Sequence, residues 1–358
     1  MSRFPKKVIF LYTELAEYFL VCVRELAKEG IETHIVRWSV NEEAPFDFQA
    51  KTGVFFYNRS TYSKSQLFNL VSTIQPDLIV CSGWIDKNYL HICRKYKGKI
   101  PTVLISDNHW RNTLKQKIGK VFKDYFIHNK FSDAWVPGEP QKEFVRKLGF
   151  KNYNISTGFY SADFSHFYRY YEEFKEYKLT YFPKRFIYVG RYMKHKGIFD
   201  LWTAFVQLKK EQPNDWELWC LGTGKLFDKR IEHPDIKHFG FVQPKDIGPY
   251  LKETGVFVLP SHFEPWGVVV HEFAAAGFPL ICSNKVGAAS QFLQESSNGF
   301  SYQAGNVQKL KDVMRQVINT SAHDLMSMGA KSTELAKTIT PQLWTQNLLK
   351  ILDKAKTV

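Results

Sequence analysis

The 358-residue chain is 44% hydrophobic and 23% charged, a balance that excludes disordered and fibrous classes and suits two domains of roughly 150–180 residues better than one core. Its 49 Lys+Arg against 35 Asp+Glu leave a net charge of +14, so the surface attracts anions: phosphate donors, nucleic acid or an anionic membrane. No apolar run approaches the ~18–20 residues that cross a bilayer, and five scattered cysteines indicate neither a disulfide framework nor a metal knuckle, which fits a reducing cytoplasm.

From the N-terminus, short apolar runs alternate with segments of helical period: strand 7–12 and helix 14–28, strand 33–37, strand 54–57 and helix 63–72, strand 77–81 and helix 86–95, strand 102–105 and helix 111–127. Glu14 and Glu17 interrupt the first apolar stretch, which therefore reads as a strand and not as a signal segment. Apolar runs too short for helices, each followed by an amphipathic helix, imply parallel strands with right-handed crossovers. A second series follows, with strands at 186–189, 216–220, 237–239, 256–259 and 280–283 and helices near 198–210, 245–253, 270–276 and 307–318.

Between the two series, residues 159–182 hold 11 aromatics and no Gly or Pro, which predicts an ordered connection packed at a domain junction. The expected class is α/β with two Rossmann-like, doubly wound domains, 1–182 and 183–358, the last helix at 341–354 packing on either. Ligands bind at the carboxyl ends of such sheets, so the expected site is a cleft across which the two domains face each other.

The segment from Ser261 to Gly277, SHFEPWGVVVHEFAAAG, follows the strand at 256–259 and runs into a helix. Glu264 falls in the loop and Glu272 in the first turns of the helix, where both can face one ligand. Gly267 lets the amides at Gly267 and Val268 come close, and the positive end of the helix suits a phosphate. A loop carboxylate for sugar hydroxyls, amides for a diphosphate and a helix carboxylate for ribose hydroxyls form one nucleotide-sugar site. His271, one helical step from Glu272, points elsewhere and reads as a packing residue.

With Gly277-Phe278-Pro279 and the later Asn298-Gly299, this string resembles the Glu-x7-Glu signature of the glycosyltransferase family 4 proteins. The resemblance is close over about 185–318 and covers the first half only in outline. It implies the GT-B fold and sugar transfer from a nucleotide donor with retention at the anomeric carbon. Arg191, after the strand at 186–189, and Lys196, at the start of a helix, offer a fork and a point charge suited to two phosphates, the role the family gives them; the alternative is a pair of solvated loop cations. The Gly222-Thr223-Gly224 turn lets the backbone close on the nucleotide, and by resemblance Phe241 lies in the base-contacting segment.

The family places a histidine or acid after the fifth N-domain strand, near the transferred sugar. Here that segment reads Ser106-Asp107-Asn108-His109-Trp110. Asp107 or His109 would meet the sugar or the acceptor hydroxyl, while Asp107 equally suits a cap for the helix at 111–127. The family's glycine-rich first turn is replaced by Tyr12-Thr13-Glu14-Leu15.

Charge is uneven: from Lys87 to Lys130 eleven Lys+Arg stand against Asp107 and Asp124, a net of +9 in 44 residues. On the helix at 113–127, Leu114, Ile118, Val121, Phe122 and Tyr125 share an arc of ~100° while Lys115, Lys117, Lys120 and Lys123 lie outside it. Burial of the stripe in its own domain accounts for the apolar residues but not for charges of nearly one sign. An anionic membrane surface accounts for both better than nucleic acid, for which no recognition signature is present.

The expected protein is thus a retaining, hexosyltransferase-type glycosyltransferase using a UDP- or GDP-type nucleotide sugar as co-substrate and a saccharide or lipid-linked acceptor. Its setting would be bacterial surface polysaccharide or lipopolysaccharide assembly, cytoplasmic and peripheral on the inner face of the membrane, with no nucleic-acid partner. Glu264, Arg191, Lys196, Asp107 and His109 are the catalytic candidates; Glu272, Gly222, Gly224, Phe241, Gly267 and Val268 are the donor-binding ones. No metal or further cofactor is expected, because fixed cations take the place of a divalent ion and no Asp-x-Asp element is present there. A sugar-nucleotide epimerase of the same fold and an inactive nucleotide-sugar-binding protein are the alternatives.

Overall fold

The computed structural model describes residues 6–39 and 52–354, and the chain divides into two compact units: Met1–Ala162 with Ile339–Val358, and Asp163–Thr338. In the first, β1 (Lys7–Tyr12), β2 (Glu32–Arg37), β3 (Val54–Asn58), β4 (Leu78–Ser82), β5 (Thr102–Ile105), β6 (Asp133–Trp135) and β7 (Ile155–Ser156) form one sheet in the order β3-β2-β1-β4-β5-β6-β7. Every pairing in it is parallel.

The central strands are apolar on both faces because both are covered. Along β1, Val8 and Phe10 enter one core with Phe19 and Leu26, while Ile9 and Leu11 enter another with Leu67, Ile92 and Phe144. The connecting helices are α1 (Glu17–Lys28), α2 (Lys64–Ile74), α3 (Lys87–Tyr96), α4 (Leu114–Val121) and α5 (Glu139–Lys147). Their starts are written locally. Ser63 and Gln66 make a reciprocal capping box for α2, and Asp86 accepts from the amides of Asn88 and Tyr89 to cap α3. The terminal helix, Pro341–Lys354, belongs to this unit: Trp344 is fully buried, its ring lies 4.8 Å from that of Trp135, and its Nε1 donates to the Phe159 carbonyl at 2.7 Å.

The second unit opens with α6 (Phe164–Thr180), followed by β8 (Arg185–Val189), α7 (Ile198–Glu211), β9 (Glu217–Leu221), β10 (Ile236–Gly240), α8 (Gly248–Glu253), β11 (Val256–Leu259), α9 (Val268–Ala275), β12 (Leu280–Ser283), α10 (Ala289–Phe292), β13 (Gly299–Tyr302), α11 (Val307–Ile318) and α12 (Ala322–Ala336). Its sheet runs β10-β9-β8-β11-β12-β13, again all parallel. This is a doubly wound order in which the direction of winding reverses between β8 and β11, the position where the carboxyl ends leave a crevice.

The aromatic segment at 159–182 is no linker. It becomes the 17-residue α6, capped by Asp163, and packs on α8, α9 and α12. The Lys178 amine donates to the Thr254 carbonyl at 2.8 Å and lies 4.0 Å from the Phe278 ring centroid. The division between units therefore falls after Ala162, some twenty residues before the expected 182/183, because much of the aromatic segment is a helix that buries Phe167 and Tyr170 within the second unit. All five cysteines are free and buried.

Candidate active site

The loops leaving β8 and β11 flank the reversal point of the second sheet, and they carry Arg191, Lys196, Glu264 and Gly267 of the predicted residues. After β8, a short 3-10 turn at Lys194–Lys196 ends on Gly197, which has φ +70° and starts α7. A Cβ there would sit 2.0 Å from the Pro260 carbonyl oxygen, so only glycine lets this loop lie against the one after β11. The His262 amide donates to the His195 carbonyl at 2.8 Å and ties the two loops again.

This close approach brings Lys196 onto Glu264. The lysine ammonium donates to Glu264 Oε2, and both side chains are almost entirely removed from solvent. The Glu264 main chain is fixed from the other side: its amide donates to the Lys285 carbonyl at 3.0 Å, and its carbonyl accepts from the Gly287 amide at 3.0 Å, a small parallel bridge to Val286. A pair this buried is held by geometry, because separating it would strand a charge in low dielectric. Burial, and next the Lys196 charge, hold the neighbouring His195 imidazole below its ordinary range.

Gly267 closes the β11 loop with φ +90° and opens α9 with no side chain capping it. The first amides of α9 thus meet no carboxylate of their own helix, the arrangement that favours an anion. Val268, the first residue of α9, is buried. Glu272, one turn further, is pushed up to about 7, by burial first and by the Asp163 carboxylate second. A glutamate balanced near neutrality is a sensitive acceptor for hydroxyl groups, since a modest gain in hydrogen bonding decides its charge. His271 points away into the core, with Nε2 2.9 Å from the Ala336 carbonyl and its ring stacked on Phe292 at 4.2 Å.

The remaining donor-side candidates sit beside this pair of loops. Arg191 follows β8, and its carbonyl accepts from the Tyr188 hydroxyl at 2.9 Å. Gly222 lies against the Gly190 carbonyl and Gly224 against the Tyr192 backbone, so the glycine turn after β9 seats the β8 loop as well as bordering the site. Phe241, just past β10, is 37% exposed. Asn298 and Gly299 belong to the core: Asn298 Nδ2 donates to the Phe292 carbonyl and to Ser332 Oγ.

Asp107 and His109 belong to the first unit, in the loop after β5. His109 Nε2 is 2.7 Å from Gln141 Nε2, and the His109 carbonyl accepts from Gln116 Nε2 at 2.7 Å. Asp107 is not the helix cap that the sequence allowed: Thr113 caps α4, accepting from the Gln116 amide at 3.3 Å. The Asp107 charge is felt instead by Tyr160, whose hydroxyl is held well above its ordinary range by burial and then by Asp107.

Two participants were missed by sequence reasoning. Asp163 sits in the aromatic segment with no motif around it, and nothing in the chain signals that its carboxylate acts on Glu272. The segment Lys285–Gly287, which pins Glu264, shows only a glycine after a strand. Among the described residues, no group of three or more His, Cys, Asp or Glu is placed to hold a metal ion, and no helix is long and apolar enough to cross a membrane.

Known proteins with similar sequences or folds cluster on this architecture. Residues 172–334 match the model of the family described as Glycosyl transferases group 1. Glycogen synthase of Mycobacterium tuberculosis is 32% identical over 147 residues, covering 39% of this chain and 35% of that protein. The lipopolysaccharide core biosynthesis glycosyltransferase LpsE of Rhizobium meliloti is 28% identical over 135 residues, covering 36% and 38%. The matched region thus spans little more than a third of these relatives' length. The crystal structure of Anabaena HepE in complex with UDP-glucose is alike in fold over 98% of this chain and all of that one, with a TM-score of 0.68 at 13% identity.

Proposed function

We propose that the chain, whose residues 172–334 match the family of glycosyl transferases group 1 and whose fold is that of the GT-B glycosyltransferases, transfers a sugar from a nucleotide-sugar donor to a saccharide or lipid-linked acceptor with retention at the anomeric carbon. The observation that carries this reading is the buried Lys196–Glu264 pair beside the uncapped start of α9, with Glu272 one turn inside that helix.

In this reading the donor's diphosphate meets Arg191, Lys196 and the amides at Gly267 and Val268. As the bond from the anomeric carbon to the phosphate oxygen breaks, negative charge develops on the leaving group, and these fixed cations and dipoles stabilise it without having to reorganise. No divalent ion or further cofactor is required for that step. Glu264 exchanges its partnership with Lys196 for hydroxyls of the donor sugar, freeing the lysine for phosphate. Glu272 accepts the ribose hydroxyls, and Gly222, Gly224 and Phe241 border the nucleotide.

Asp107 or His109 contacts the transferred sugar or the incoming hydroxyl. Glu264 is not assigned as a covalent nucleophile, because a two-carboxylate retaining scheme needs an acid/base pair flanking the bond. Attack from the donor's own face, with the leaving phosphate as base, fits the groups available. An acceptor in surface-polysaccharide or lipopolysaccharide assembly is supported by the likeness to LpsE, and the basic stretch from Lys87 to Lys130 suits a position on the inner face of the membrane.

The test is release of free nucleoside diphosphate from UDP- and GDP-sugars with and without a saccharide or lipid-linked acceptor, together with the anomeric configuration of the product by NMR. Acceptor-dependent release with a product of unchanged configuration is expected. Interconversion of the donor sugar without any acceptor would make the protein an epimerase, and inversion would overturn the retaining scheme.

A further inference from the structure

The apolar arc predicted on the helix at 111–127 lies outside the protein core. Leu114 is 74% and Val121 75% exposed, and Ile118, Phe122, Tyr125 and Phe126 are also open to solvent, while within this segment only Ile127 is buried. The helix is also shorter than predicted: α4 ends at Val121, and a π-helical turn, Asp124–His128, carries the aromatics onward. Six large apolar side chains within thirteen residues form a patch that isolated exposed residues do not explain.

The charges around it have one sign. Lys115, Lys117 and Lys120 are all exposed, and Asp124 is the lone carboxylate on the segment. Lys130 is occupied otherwise, donating to the Tyr125 and Phe126 carbonyls and so closing the end of the turn. An apolar strip bordered by long cationic side chains has the chemistry of an element lying in the headgroup region of an anionic bilayer, the strip among acyl chains and the ammonium groups at the phosphates. A protein partner built to cover the strip would need matching acidic groups, whereas an anionic leaflet supplies them at every position.

We propose that the segment Leu114–Phe126 is an anchor that inserts its exposed apolar side chains into an anionic membrane surface. This goes further than attraction by the basic stretch as a whole: insertion makes binding depend on the apolar residues and survive salt that screens the lysines. The anchor is also joined to the loop holding Asp107 and His109. Gln116 accepts from the Arg111 amide at 2.7 Å and donates to the His109 carbonyl at 2.7 Å, so the loop after β5 is held at the level of the inserted helix. The inference does not rest on glycosyl transfer.

The experiment is co-sedimentation of the full chain with vesicles of phosphatidylcholine alone and of phosphatidylcholine with phosphatidylglycerol. It compares wild type, a triple variant Leu114→Ser, Val121→Ser, Tyr125→Ser, and the charge variant Lys115→Gln, Lys117→Gln, Lys120→Gln. The substituted side chains are exposed, so unchanged melting temperatures serve as the folding control. Wild type is expected to bind the anionic vesicles and retain a measurable part of that binding at 0.5 M NaCl; the serine variant is expected to bind at least tenfold more weakly at low salt and not at all at high salt. Equal binding of wild type and the serine variant, or complete loss of wild-type binding at high salt, would overturn insertion. So would a wild-type dimer in lipid-free sedimentation that the serine variant abolishes, since a second copy would then cover the strip, or a preference for nucleic acid over the anionic vesicles.

Discussion

The loops after β8 and β11 and the segment around α4 are both rich in cations, but they treat charge in opposite ways. At the first, Lys196 is enclosed with Glu264 and the backbone of both loops is tied down by hydrogen bonds. At the second, lysines and apolar side chains alike stand in solvent. A buried cation needs a partner fixed in advance and is suited to one small anion in one orientation. An open cationic border fixes nothing and is suited to a fluid surface of many phosphates. On the proposed reading the chain's +14 net charge serves two recognition problems with different physics, and substitutions should separate them.

The largest effect is expected at the enclosed pair. Lys196→Ala leaves the Glu264 carboxylate buried without its cation, at a cost of about 3–5 kcal/mol in unfolding free energy and a ~100-fold or greater loss of turnover. The double variant Lys196→Met, Glu264→Gln should recover much of the stability and none of the turnover. Chemical denaturation beside a donor-release assay reads both, and a single variant as stable as wild type would show that the pair is not enclosed in solution. Gly197→Ala should follow at about 2–4 kcal/mol, because its Cβ must push the Pro260 carbonyl away from a positive-φ turn.

A smaller, pH-dependent effect is expected at Glu272. Between the ordinary glutamate range and about 7 the folded protein keeps a proton that the unfolded chain gives up, so stability falls as pH rises through that window and the penalty is complete above it. Glu272→Gln should therefore stabilise the free protein by about 1–3 kcal/mol at pH 8 and have no effect near pH 4. Donor affinity of the wild type should rise with pH through about 7, as the carboxylate forms for the ribose hydroxyls, and that of the variant should stay flat. Thermal melts and calorimetric titrations across the window check both halves. The smallest effect belongs to the open region: neutralising Lys115, Lys117 and Lys120 should weaken attachment to anionic vesicles by about 1 kcal/mol per lysine at low salt and move the unfolding free energy by less than about 0.5 kcal/mol.

The same contrast explains what was legible in the sequence. Strands covered on both faces must be continuously apolar, so β1, β11 and β12 coincide with the predicted runs and β8 begins one residue before its own, and the loops leaving β8 and β11 put Lys196 and Glu264 at the reversal point. Periodicity shows that a helix is two-faced but not what meets its apolar face. Aromatic content placed a domain junction where α6 packs within the second unit, burying Phe167 and Tyr170, and periodicity left open the surroundings of α4, whose stripe is uncovered. Glu272's neighbour Asp163 lies more than a hundred positions away in the chain, a contact that only the packing of α6 on α9 creates.

The central claim is that the loops after β8 and β11 hold a nucleotide sugar through Arg191 and its neighbours. Calorimetric titration of wild type and Arg191→Ala, using whichever member of a UDP- and GDP-sugar panel raises the wild-type melting temperature, tests it most directly. At 100-fold the dissociation constant a bound donor stabilises by ~2.7 kcal/mol, enough to identify the ligand. The expected result is saturable 1:1 binding by wild type and at least tenfold weaker binding by Arg191→Ala with its fold intact; equal affinities, or a panel in which no nucleotide sugar binds wild type, would contradict it.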